Sequence, residues 1–374
     1  MPRAPIRLLI VIIDLAGGTG TFCRALATGL KKFFSGEFEI SLLILRGTAP
    51  PEEKQFFDHI HTINSDVHRD WRRMIETPAH LLRLSKAINC INPDLILTVN
   101  TYSNLLVPLA APRRHTILTV HSNSTQQLAE SRFRRIISIL MRLIYPRHSL
   151  VAPTHGVAED LADNFDIKRT HVIPHGIDIE SIRSQAQHEP DDLLQSPYII
   201  AVGRLTPAKD YPTLLHAYSD AQSKGLEEHL LIIGDGELRD SLLKLSTDLG
   251  LSQHVHFLGH RPNPFPYIKH ARFFILSSIW EGFGLALLEA LALGLPAIST
   301  DCPSGPAEIL ADGEYGLLVK PGDVSGLAEA MLQMSRSSQL REAFSKKATE
   351  RAQQLSLGRM AQSYRDLFLR ELEA

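Results

Sequence analysis

The chain has 374 residues, 44% hydrophobic and 21% charged, with a formal net charge of -2, which fits a soluble globular protein with chain enough for two full cores. Its three cysteines, Cys23, Cys90 and Cys302, are odd in number and show no Cys-x-x-Cys spacing. Neither a disulfide framework nor a thiolate metal site is indicated, and a reducing cytoplasm fits.

From the N-terminus, the run Ile6 to Ile13 is too short to span a bilayer and carries no small-residue cleavage site, so it is predicted as the first core strand. It leads into Gly17-Gly18-Thr19-Gly20. This partly matches the dinucleotide fingerprint Gly-x-Gly-x-x-Gly, but Cys23 takes the third glycine's place and a dehydrogenase is only weakly supported. Asn100, Thr101 and Tyr102 follow a predicted strand over Leu95–Val99. His121 closes another over Thr116–Val120, where a lone histidine serves either a ligand or the fold. Residues 1–150 hold 19 Lys/Arg against 11 Asp/Glu, and the stretch Arg132 to Arg147 mixes basic and bulky apolar residues within one predicted helix. Two readings stay open for it, a surface for anionic lipid and a core helix with a solvated basic face. No nucleic-acid-binding fold or motif appears, and no transmembrane helix is expected.

Further short apolar runs alternate with helical patterns: Ile40–Leu45, Leu150–Ala152, Tyr198–Val202, Leu230–Ile233, Val255–Leu258, Phe273–Leu276 and Ala297–Thr300. Such alternation predicts an α/β protein with parallel sheets covered by helices on both faces. The polar stretch from Ile179 to Pro197 reads as an interdomain linker with a short helix, dividing the chain into domains at 1–180 and 181–357. The final amphipathic helix, about residues 358–374, packs on either domain.

The second half carries the densest chemistry. Gly203-Arg204-Leu205-Thr206-Pro207-Ala208-Lys209 places two cations on a strand-to-helix loop, where parallel sheets bind ligands. A diphosphate leaving group needs such charge as its own negative charge grows. Gly234-Asp235-Gly236 reads as a tight strand-to-helix turn, and the aspartate as part of the turn. His59-x-His61 and His254-x-His256 have no carboxylate or thiolate partner at a known spacing and read as surface histidines, so no metal is expected. Then Glu281-Gly282-Phe283-Gly284 runs into an apolar helix from Leu285 to Leu293 that carries Glu289 and stops at Gly294-Leu295-Pro296. Amides at that helix start attract phosphate, and an ionised Glu suits the paired hydroxyls of a ribose or sugar ring.

Glu281, seven residues, Glu289, a small-residue helix and Gly-x-Pro resemble the signature of the family 4 retaining glycosyltransferases. The resemblance covers almost the whole chain and is strongest from Val202 to Pro321. It implies the GT-B fold, two Rossmann-like doubly wound parallel-sheet domains facing a cleft, with the last helix crossing back onto the N-terminal acceptor domain. By this resemblance, Arg204 and Lys209 clamp the donor diphosphate, Glu281 orients the donor sugar, Glu289 holds the ribose, and His121 lines the reacting centre. Gly17, Gly18, Gly203, Gly234, Gly282, Phe283, Gly284 and Leu285 complete the nucleotide-sugar site, with Pro303 to Glu308 facing the sugar. Asn100, Thr101 and Tyr102 are acceptor-side candidates. Two departures stand out: Asp210 replaces the glycine of many members, and the loop at Gly17 lacks their acidic residue. The implied reaction moves a hexose or N-acetylhexosamine from a nucleotide diphosphate sugar, UDP-linked, to a hydroxyl of a lipid-linked glycan or surface polysaccharide precursor. Configuration is retained, with no cofactor and no metal. The implied location is cytoplasmic, peripheral on the inner face of the membrane. A soluble acceptor, a GT-B UDP-sugar epimerase and a non-catalytic binding subunit are the rival readings. The last should have lost one of Glu281, Glu289, Arg204 and Lys209, and none is missing.

Overall fold

The computed structural model describes residues 4–15, 17–63, 78–129, 131–188, 190 and 192–373. The chain divides into two compact units, residues 1–176 with 357–374, and residues 177–356.

The first unit is built on a seven-stranded sheet in the order β3-β2-β1-β4-β5-β6-β7. Its strands are β1 (Ile6–Ile12), β2 (Phe38–Ile44), β3 (His59–Thr62), β4 (Leu95–Val99), β5 (Thr116–Thr119), β6 (Ser149–Ala152) and β7 (Thr170–Val172). All neighbours pair in parallel. The central strands β4 and β5 are buried throughout, as a parallel strand covered on both faces must be. The helix Leu357–Glu373 belongs to this unit. It lays Met360, Tyr364, Leu367 and Phe368 against Phe22, Leu26 and Leu30 of the helix Gly17–Phe33. The two helices approach so closely that a Cβ on Gly29 would lie 2.9 Å from that of Ala361.

The second unit holds six parallel strands in the order β10-β9-β8-β11-β12-β13. They are β8 (Tyr198–Val202), β9 (His229–Ile233), β10 (Val255–Gly259), β11 (Phe274–Leu276), β12 (Ala297–Thr300) and β13 (Leu317–Val319). Both sheets thus reverse their winding once, between β1 and β4 and between β8 and β11. In doubly wound sheets, the crevice at the carboxyl ends of the strands flanking that reversal is where ligands bind.

The stretch from Ile179 to Pro197, predicted as a linker, is instead part of the second unit. Its helix Ile179–Gln185 buries Ile182, Ile177 precedes it in the same core, and Leu193 and Leu194 pack against that core. Asp192 accepts hydrogen bonds from Arg261 and Tyr267. A few apolar anchors spaced among polar residues are enough to tie the segment down. Glu189 and Asp191 of this stretch lie outside the described residues.

Candidate active site

In the second unit, the loops after β8 and β9 are bound backbone to backbone. The Gly203 amide donates to the Ile233 carbonyl (2.9 Å), Leu205 to Asp235 (3.0 Å) and Leu238 to Leu205 (3.1 Å). A Cβ on Gly234 would lie 1.9 Å from the Gly203 oxygen, and one on Gly236 would lie 2.4 Å from that of Leu205. These glycines are therefore steric requirements of the approach, and the Asp235 carboxylate closes the turn by accepting from the Gly236 amide.

Beyond this loop, Asp210 sits in the left-handed region at φ 46° and caps the helix Tyr211–Ser223 by accepting from the Thr213 amide. Glycine suits such a φ. Aspartate is among the few other residues that tolerate it, and here it supplies a cap as well.

Lys209 precedes this cap, and the 277–281 loop is tied to its backbone. The Ile279 amide donates to Ala208 (2.9 Å) and the Ser277 hydroxyl to the Lys209 carbonyl (2.7 Å). The Lys209 ammonium pairs with Glu281 Oε1, which also accepts from the Ser278 hydroxyl at 2.7 Å. Glu281 is only 8% exposed, so one cation and one hydroxyl hold a nearly buried carboxylate in place. The sequence treats Arg204 and Lys209 as equals, but the structure does not. Lys209 is engaged by Glu281, whereas Arg204 is exposed and has no carboxylate partner among the described residues.

The next turn meets the 303–305 loop. The Glu281 amide donates to the Pro303 carbonyl (3.3 Å), and Gly305, at φ 120°, lies so close that a Cβ would be 2.2 Å from the Phe283 oxygen. The Phe283 side chain is buried in the core of the second unit. Gly284, also at positive φ, opens the helix Leu285–Ala292. Its first amides have no partner within the helix, which favours an anion there. Glu289 is the one carboxylate on this apolar helix, and burial pushes its carboxyl up to about 7. Gly305→Ala should therefore shift the 281–284 turn, lowering stability by more than about 1 kcal/mol and donor affinity with it. Thermal melts with and without nucleotide would check this, and an unchanged melt in both would contradict the packing argument.

In the first unit, the helix Gly17–Phe33 begins directly after β1 and its loop. Gly17 and Gly18 are exposed at the helix start. The glycine that the fold demands is Gly20, whose Cβ would lie 2.0 Å from the Leu15 oxygen. After β4, Asn100 takes φ 100°, strained for any residue but glycine, while its side chain accepts from the Ser103 amide and caps the helix Thr101–Ala110. Strain of this kind, about 1–3 kcal/mol, gathers at functional sites. Of the three acceptor-side candidates, Tyr102 is buried in the core and Asn100's side chain is spent on the cap. Thr101 remains half-buried at the helix start.

His121 stands after β5, with both ring nitrogens engaged. Thr119's hydroxyl donates to the Thr98 carbonyl (2.7 Å), so its oxygen accepts from His121 Nε2 (2.6 Å). That leaves Nδ1 as the acceptor for His175 Nε2 at 3.3 Å. The two imidazoles stack at 5.1 Å and 10°, beside the Phe22 ring. Burial, and then the neighbouring His175, hold His121 well below the usual histidine range, and burial takes His175 down to about 3. Both rings are therefore neutral. Sequence reasoning missed His175 because it follows β7, a strand too short to be recognised. It also missed Thr119 and Ser278, whose roles depend on contacts rather than on spacing.

Among the described residues no group of three or more His, Cys, Asp or Glu is placed to hold a metal ion, and no helix is long and apolar enough to cross a membrane. The surface histidines are not isolated. His59 pairs with Glu39 at 2.9 Å, and His256 Nε2 lies 2.9 Å from His229 Nδ1.

Two Rossmann-like units, each with the strand order 3-2-1-4-5-6 at its centre and polar groups gathered at its switch point, define the GT-B class of glycosyltransferase. Family models agree on both halves: one described as Glycosyltransferase Family 4 matches residues 16–181, and one described as Glycosyl transferases group 1 matches residues 184–351. The chain belongs to this family of glycosyltransferases. It is 28% identical over 342 residues to the N-acetylgalactosamine-N,N'-diacetylbacillosaminyl-diphospho-undecaprenol 4-alpha-N-acetylgalactosaminyltransferase of Campylobacter jejuni, covering 90% of this chain and 92% of that one. It is 33% identical over 211 residues to the lipopolysaccharide core biosynthesis glycosyltransferase LpsE of Rhizobium meliloti, covering 56% of this chain and 61% of that one. The structure of Anabaena HepE with UDP and glucose matches with a TM-score of 0.79 at 18% identity, over 97% of this chain and 99% of that one.

Proposed function

We propose that the protein transfers a hexose or N-acetylhexosamine from a UDP-sugar to a hydroxyl of a lipid-linked glycan in bacterial surface-glycan assembly. The anomeric configuration is retained, no metal takes part, and the reaction proceeds at the inner face of the cytoplasmic membrane. The observation that carries this is the cluster in the second unit. One cation, Lys209, is fixed by a nearly buried Glu281, beside the helix that carries Glu289, whose carboxyl burial pushes up to about 7. The Campylobacter jejuni relative, whose name specifies an undecaprenol diphosphate acceptor, supports the lipid-linked glycan, and the UDP bound to HepE supports the nucleotide.

In this reading the bond from the anomeric carbon to the leaving phosphate oxygen breaks while the acceptor oxygen attacks from the same face. The acceptor's proton passes to the leaving diphosphate. Arg204, Lys209 and the amides opening the helix Leu285–Ala292 stabilise the growing negative charge. Glu281, anchored through Oε1, turns Oε2 to the donor sugar, and Glu289 accepts from the ribose hydroxyls. His121 is a fixed neutral group rather than a proton carrier, since both its nitrogens are occupied. Asn100, Thr101 and the amides of Gly17 and Gly18 lie on the acceptor side.

The test is the stereochemistry of the product. NMR of the glycan formed from an α-linked UDP-sugar should show an α linkage, at a rate unchanged by EDTA. A β linkage, or loss of activity on chelation, would overturn retention or metal independence respectively.

A further inference from the structure

The first unit carries a second polar surface at the opposite ends of its strands from Asn100 and His121. A groove of about 890 Å³ runs along the N-terminal ends of β5, β6 and β7, lined by Arg113, Arg114, Arg147, Lys168 and Arg169. Its two carboxylates are both engaged: Asp166 lies 3.5 Å from Lys168, and Glu371 accepts from the Ser149 hydroxyl at 2.5 Å. Arg114 is also committed, donating to the Pro93 carbonyl (3.1 Å) and to Asn92 (2.8 Å). Arg113, Arg147 and Arg169 have no carboxylate partner among the described residues. The carbonyl ends of the helices Thr101–Ala110, Arg134–Ile144 and His155–Phe165 lie just before these basic residues in the chain and favour some positive charge. They do not account for the paired cations Arg113-Arg114 and Lys168-Arg169 converging on one groove.

The helix Arg134–Ile144 runs straight into this groove through Pro146 and Arg147. One side of it packs Ile137, Met141 and Ile144 into the core. The opposite side exposes Ile136 by 49%, Ile139 by 57% and Leu143 by 54%, interleaved with exposed Arg132, Arg135 and Arg142. No acidic residue occurs from Ser131 to Ala158. A row of aliphatic side chains flanked only by arginines, leading into a cationic groove, differs from a solvated helix face, which mixes charge signs and omits exposed isoleucine. It differs also from a nucleic-acid track, which has no use for an aliphatic row.

We propose that this face docks on an anionic lipid bilayer. Ile136, Ile139 and Leu143 enter the boundary between headgroups and acyl chains, and Arg113, Arg147 and Arg169 take headgroup phosphates in the groove. This deepens the membrane side of the proposed function without depending on sugar transfer, because vesicles containing neither donor nor acceptor are enough to test it.

The full chain is sedimented with vesicles of phosphatidylcholine alone or with about one third phosphatidylglycerol. Binding to the anionic vesicles should be at least about tenfold stronger and should be lost at high salt. The pairs Ile139→Asp with Leu143→Asp and Arg113→Glu with Arg169→Glu should each weaken it about tenfold or more, with unchanged melting temperatures since all four side chains are exposed. Equal binding to both vesicles, no binding, or full binding by either variant would overturn the proposal. So would a change in the oligomeric state of either variant, which would assign the face to a second copy of the chain.

Discussion

Lys209→Ala is expected to lower kcat by about 10²–10³ at saturating donor, the usual effect of removing one group aimed at charge that develops in the transition state. The loss should fall on turnover, because the leaving diphosphate gains its extra negative charge only as the glycosidic bond breaks. Folding should suffer less. The Lys209 side chain keeps 21% exposure and Glu281 retains the Ser278 hydroxyl, so the broken pair should cost about 1–2 kcal/mol, or a few degrees in Tm. Arg204→Ala removes an exposed cation with no carboxylate partner among the described residues and should leave Tm unchanged while still slowing turnover. A Lys209→Ala enzyme with wild-type kcat would remove Lys209 from the chemistry.

Glu289→Gln should move stability and donor affinity in opposite directions. Burial raises this carboxyl from 4.5 to about 7, so between those values the folded protein binds more protons than the unfolded chain. Stability contributed by this group therefore falls as pH rises through that window and stays low above it. A glutamine of the same shape cannot ionise. It should raise Tm by about 2–4 °C at pH 8 and change little near the acid end of the window. Donor binding should show the reverse. Losing charge-assisted hydrogen bonds to the ribose costs about 1.5–3 kcal/mol, roughly 10–100-fold in Kd. In the wild type, affinity for a UDP-sugar should rise between pH 6 and 8 with release of a proton, since the bound hydroxyls favour the ionised carboxylate. That slope should vanish in Glu289→Gln, and calorimetry at the two pH values would show it. A pH-independent wild-type Kd would mean that Glu289 does not touch the donor.

The central strands were legible because parallel strands buried on both faces read as continuous apolar runs, as in Leu95–Val99 and Tyr198–Val202. The strands that escaped, β3, β7 and β13, are all sheet edges of three or four residues with partly exposed side chains, too short to stand out as such runs. In the site, the Glu281 to Glu289 spacing and the Gly203 loop are local and could be read directly. The ion pair between Lys209 and Glu281 joins residues 72 apart and the contact of His121 with His175 joins residues 54 apart, and neither leaves a trace in spacing. The strain at Asn100 is likewise a property of φ, not of composition.

One site should bind a UDP-sugar and deliver its sugar to a lipid-linked glycan. UDP release from a panel of UDP-sugars, with and without a detergent extract of undecaprenyl-linked glycans, tests it most directly when run on wild type and Glu289→Ala together. The expected result is release that requires both one particular sugar and the lipid extract and that fails in the variant. Release at full rate without any acceptor, or undiminished release by Glu289→Ala, would contradict it.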